Sequence, residues 1–218
     1  MASRAKSSVR PERPRLEQLK AGSLELIDDA VIDELDCPDP FVDSESAEFV
    51  ELLRSRIGAG SFANSEWYRT RWVDLEFTGT DLANARLIES GLERVTAEGC
   101  RATGLQLAGA TLADLTFTNC LLDLANFRAS KFRRVSFTDC KLSGSDWAEA
   151  ALDRVTFTRC DLTDAEFSNT AHKQVLIDDC VIDGLRGITS LSGATIAGAD
   201  PLLVANLFAQ AHRVALEG

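Results

Sequence analysis

Apolar residues return at every fifth position through the middle of this chain. From Trp72 the series runs through Phe77, Leu82, Leu87, Leu92, Ala97, Ala102, Leu107, Leu112, Phe117, Leu122 and Phe127, and continues to Phe167. Two positions before each centre stands a small or modest residue, such as Ala85, Val95, Cys120, Ser130 or Ala165, and the remaining positions are mostly Asp, Asn, Arg, Thr, Ser and Gly. An α-helix would rotate such a pattern around its axis, and a strand would place successive centres on opposite faces, so neither buries the set. A coil that turns a corner every five residues does. Four corners close a square of twenty residues, which stacks on the next coil at the strand spacing of about 4.8 Å. A longer repeat agrees: "LTFTNC" at 115–120 returns as "VSFTDC" at 135–140 and "VTFTRC" at 155–160.

The segments "TDLANARL" (80–87), "CKLSGSDW" (140–147) and "CDLTDAEFSNT" (160–170) carry a small residue, a polar residue, a central Leu, Phe or Trp and two further positions. In this the chain resembles the pentapeptide-repeat family over about Phe62 to Ile188. The resemblance implies an all-β solenoid, a right-handed quadrilateral β-helix of about six to seven coils occupying 61–195.

The ends break the pattern. Residues 1–20, with Arg4, Lys6, Arg10, Arg13 and Arg15 among prolines, read as a disordered basic tail. Residues 21–60 read as an acidic cap segment, with 11 acids and no base between Ala21 and Leu53. Within it, 46–57 fits either a helix or the five-residue grid. In 196–218 the period becomes helical: Asp200 can cap, Pro201 suits the first helical position, and Leu203, Leu207, Ala211 and Val214 or Ala215 form a stripe. The open ends of a strand stack need covering. The acidic segment and this helix over 201–215 are the natural caps. A second helix row, Val204, Phe208 and Ala215, would stay exposed in a monomer, which predicts a homodimer through the helix.

A formal net charge of -11 disfavours direct contact with nucleic acid or an anionic membrane. With no apolar core near the amino end and no run of about 20 apolar residues, a cytoplasmic location is expected. Cys100, Cys120, Cys140, Cys160 and Cys180 form a column twenty residues apart. Their Cβ vectors would be parallel and the expected compartment is reducing, which predicts buried structural thiols and no disulfides. Cys37, outside the column, is expected to be the reachable thiol.

No metal spacing, phosphate loop or nucleophile–base set is visible, so neither a cofactor nor catalysis is expected. His172, on the centre grid, reads as a tolerated core or corner residue, and "Gly58-Ala59-Gly60" as a turn.

Function would then lie on the surface. Asp146, Glu149, Asp161, Asp164 and Glu166 fall on two neighbouring coils, and Asp146 stacks on Glu166. They form the candidate partner-binding patch. The simplest expectation is a rigid, non-catalytic protein-interaction scaffold of unknown partner. The resemblance implies two alternatives: a DNA-mimic that binds DNA gyrase and protects it from poisons such as fluoroquinolones, or a regulator of another enzyme. The run Arg128, Lys131, Arg133 and Arg134 is one that a duplex mimic should avoid, and fold alone does not fix function.

Overall fold

The computed structural model describes residues 10–212. The polypeptide winds into about eight stacked coils of parallel strands, one or two more than the repeat count suggested, followed by a single helix. One side of the tower is a continuous parallel sheet whose long rungs are Glu51–Ile57, Arg71–Thr78, Gly91–Glu98, Thr111–Thr118, Lys131–Thr138, Ala151–Thr158 and Ala171–Asp178. Partners lie twenty residues apart: Leu115 pairs with Val135, and Val135 with Val155. The opposite side repeats the offset in shorter rungs, from Ser46–Glu48 through Glu66–Tyr68 to Arg86–Ile88, then in single bridges such as Asp146 with Glu166.

The corners explain the polar positions. The second residue after each centre adopts a left-handed backbone, as at Asp74, Asn84, Arg94, Asp114 and Asn169 (φ 51–60°). Asn, Asp and Gly occupy that slot often because they enter this region at little cost. At Gly104 (φ 72°) the need is double, since a Cβ would also lie 2.4 Å from the Asn84 side-chain oxygen. Leu124 (φ 58°) fills the same slot without that advantage.

The centres make the core. Phe137 is sandwiched between Phe117 and Phe157, with ring centroids 4.9 and 5.2 Å away and planes within 8° of parallel. Trp147 stacks on Phe167 at 5.6 Å, and its indole N–H donates to the Ser145 hydroxyl at 2.8 Å. The aromatic column breaks at Ala97, beside which lies an apolar void of about 20 Å³.

Three expectations change at the ends. Residues 21–60 run as further coils: Val31 pairs with Glu51, Asp36 with Arg56 and Glu51 with Arg71, so 46–57 follows the five-residue grid. The weak apolar signal there comes from short residues at grid positions such as Gly22, Cys37 and Ala47. Cys37 stands on that grid opposite Ile57 and is 3% exposed, not reachable. The basic tail, from residue 10 on, is laid lengthwise along the tower. The Glu12 amide donates to Asp114 and the Arg15 amide to Asp74; Arg4 and Lys6 lie outside the described residues.

At the other end the helix Pro201–Ala211 covers the last coil. Asp200 caps it by accepting from the Leu202 amide at 2.8 Å. Leu207 is buried, and Leu203, Val204 and Phe208 all pack partly against the core. Both apolar rows straddle the coil's end, so Val204 and Phe208 are not the exposed row that motivated a homodimer. Val214 and Ala215 lie outside the described residues.

Candidate interaction surfaces

The cysteine column is buried, and all five thiols are free. Each Sγ contacts the carbonyl two residues earlier, as Cys120 with Thr118 at 3.3 Å and Cys140 with Thr138 at 3.3 Å. Contact with Cys120 and then burial push the Cys100 thiol above its ordinary range. Contact with Cys160 and then burial do the same at Cys180. Cys100 and Cys180 are therefore packing side chains with little thiolate, unsuited to nucleophilic work. His172 stands opposite Leu152 near the last coil, with Nε2 3.1 Å from the Ser192 carbonyl.

The acidic patch is differently composed from its sequence reading. Asp146 and Glu149 both face Arg128, at 3.4 and 2.7 Å, and Glu166 faces Arg186 at 3.4 Å. Those bases come from the coils below and above. Asp161 and Asp164 form no ion pair among the described residues, and the Asp161 carboxylate accepts from the Thr163 amide. The structure stacks Asp146 on Glu166 but Asp161 on Lys141, and arginines pair with Asp146, Glu149 and Glu166.

Pairing across coils is general. Asp81 with Arg101 and Asp139 with Arg159 are exposed examples, both at 2.7 Å. Two pairs are different in kind. Asp74 is 6% and Asp114 2% exposed, and these are the buried acids of the described residues. Arg94 clasps Asp74 through two nitrogens at 2.6 and 2.8 Å, and Arg134 clasps Asp114 in the same way. Burial opposes the charged form of each acid, but the guanidinium and the tail amide outweigh it and hold both carboxyls below their ordinary value. Sequence reasoning missed this set, although the alternation Asp74, Arg94, Asp114, Arg134 at twenty-residue spacing was a legible signal.

The family described as "Pentapeptide repeat region" matches residues 70–147 and 113–186, which together cover more than half of the chain. The chain belongs to the pentapeptide-repeat family. No curated protein matches it in sequence. Among solved structures, this pentapeptide-repeat protein is similar to HetL, a pentapeptide repeat protein involved in heterocyst differentiation regulation from the cyanobacterium Nostoc sp. strain PCC 7120. The identity is 15% and the TM-score 0.50, over 79% of this chain and 85% of HetL. It is also similar to full-length QnrB1, a plasmid-mediated fluoroquinolone resistance protein, at 19% identity and TM-score 0.48, over 87% of this chain and 99% of that one. The HetL likeness shows the fold. Among the described residues no helix is long and apolar enough to cross a membrane.

One surface of this pentapeptide-repeat protein was not singled out by its sequence. At a corner of the first coils, Ile27 and Val31 are 58% and 65% exposed, and Phe49 is 47% exposed. Two hydrogen bonds join the segments: the Asp29 amide to the Glu48 carbonyl at 2.9 Å, and the Glu48 amide to the Asp28 carboxylate at 2.8 Å. Asp28, Asp29 and Glu48 form no ion pair among the described residues, nor do Glu25, Asp39, Asp43 and Glu45 nearby in sequence. Arg69 lies 5.7 Å from the Phe49 ring centroid and partly covers it. Exposed apolar side chains beside acids that form no ion pair suit a partner that is both apolar and basic.

Proposed function

We propose that this protein is a non-catalytic scaffold that holds a basic protein partner at the corner formed by Ile27, Val31 and Phe49 with Asp28, Asp29 and Glu48. The observation that carries the reading is the concentration of exposed apolar side chains and unneutralised acids on these first coils, whereas the acids of later coils are largely paired. Stacked coils suit such a role because each fixes its neighbour and leaves flat faces with little to reorganise on binding. Affinity capture with the native chain and with an Ile27→Ser, Val31→Ser, Phe49→Ser variant tests it. A partner retained by the first and lost by the second supports the corner. Equal retention by both removes it.

Binding of DNA gyrase as a duplex mimic is a second reading, favoured by the formal net charge of -11 and the free acids of 25–48. The bridging of Asp146, Glu149 and Glu166 by arginines weighs against the patch first considered for it. A supercoiling assay with purified gyrase separates the two readings. Inhibition at micromolar protein favours the mimic, and no effect favours a different partner.

A further inference from the structure

We propose that the face bearing Asp74 and Asp114 is a recognition site for extended peptides of the form Arg-Pro-x, and that the chain's own residues 10–15 are its resident ligand. This goes beyond the scaffold reading, which concerns a different corner and other residues.

The tail contains the tripeptide twice, as Arg10-Pro11-Glu12 and Arg13-Pro14-Arg15. In both copies the residue after proline donates its backbone N–H to a buried carboxylate: Glu12 to Asp114 at 3.1 Å and Arg15 to Asp74 at 3.0 Å. The two acids sit in one column, two coils apart, because Asp74 and Asp114 differ by forty residues. Two coil spacings are about 9.6 Å. Three residues of polyproline-type chain, at about 3.1 Å each, advance about 9.3 Å. The repeat of the tail and that of the tower therefore match, and acids on every second coil meet an amide on every third tail residue. Proline at 11 and 14 fixes φ and restricts the residue before it, so little order is lost in adopting this geometry.

The surroundings fit a ligand of this kind. Arg10 and Arg13 line a groove of about 760 Å³ beside the tail, whose lining also includes Glu76, Glu98, Arg154 and hydroxyls such as Thr116 and Thr138. The acids complement the arginines of the motif. Each carboxylate already holds the arginine of the next coil by two bonds, so the tail amide is an additional partner and the tower does not need it to neutralise Asp74 or Asp114. A tethered segment competes at an effective concentration on the order of millimolar, which keeps the site closed to weak ligands until the tail is lifted.

The test uses the full chain with Glu12→Pro and Arg15→Pro, which removes both tail donors and leaves the tower unchanged. The probe is a fluorescently labelled peptide of residues 8–19, followed by anisotropy. The tail-disabled protein should bind it at least tenfold more tightly than the native protein, and adding Asp74→Asn and Asp114→Asn should reverse the gain. Equal binding by native and tail-disabled proteins overturns the proposal, as does indifference to the Asn changes. So does self-association of the tail-disabled chain without peptide binding. If the Asn variants do not fold, amide exchange in the native chain decides. Millimolar unlabelled peptide should speed exchange at Glu12 and Arg15 severalfold, and unchanged exchange overturns the site.

Discussion

Arg134 reaches back twenty residues to hold the buried carboxylate of Asp114, with its Nε 2.5 Å from Oδ1, at a corner where Asp114 itself takes a left-handed backbone. Removing the acid leaves a guanidinium facing a nearly closed site, and breaking a buried pair in this way costs about 3 kcal/mol. Asp114→Ala should therefore lower the urea midpoint clearly, whereas Asp139→Ala, which breaks the exposed pair with Arg159, should change it far less.

The same pair sets an acid limit. Burial raises the Asp114 carboxyl, but Arg134 and the Glu12 amide outweigh it and leave it lowered. A depressed folded pKa means that the stabilisation is fully present above the unfolded value of about 3.9 and is lost as pH falls through the folded one. Asp74 follows the same sign. Stability measured from pH 6 down to pH 2 should fall progressively below about pH 4, and a variant with both acids changed to Asn should show a shallower fall.

Thiol titration should find no fast cysteine in the native protein. All six are buried, Cys37 included, so labelling should follow unfolding. Rapid labelling of several column members would contradict the inward register.

Phe137→Asp should unfold the chain or cost several kcal/mol, because it places a charge between two stacked rings in a marginally stable fold. Thr138→Asp, one residue on and half-exposed, should be tolerated. Equal melting of the two variants would refute the five-residue register.

Leu124 is 65% exposed with φ 58°. Leu124→Asn places a residue that tolerates this backbone in the column of Asn64 and Asn84, and should raise stability by about 1 kcal/mol in urea melts.

The coil stack was legible in the sequence because its period is short and its centres are large: Phe127, Phe132 and Phe137 announce the five, and Phe117, Phe137 and Phe157 the twenty. The first coils were obscured where the grid carries small residues such as Gly22, Cys37 and Ala47, so Cys37 was not recognised as part of a rung. Candidate surfaces were harder, since charge on a solenoid is decided between coils. Arg128 neutralises Asp146 and Glu149 from a diagonal position that no single column contains. The tail's path needed three dimensions, although its Arg-Pro repeat and the alternate aspartates were both visible.

The helix Pro201–Ala211 acts as a cap, with Leu207 buried and Phe208 half-covered on the last coil. Phe208→Glu should lower the melting temperature, and sedimentation should find a monomer both before and after the change. A native dimer that dissociates in the variant would restore the helix as an interface.

The most direct test of the scaffold account is site-specific photo-crosslinking in native lysate, with the crosslinker at Ile27 in one protein and at exposed Val181 in another. The account predicts one discrete protein adduct from position 27, suppressed by Asp28→Lys and Asp29→Lys, and none from position 181. The same adduct from both positions, or one at position 27 that survives the charge reversals, would contradict it.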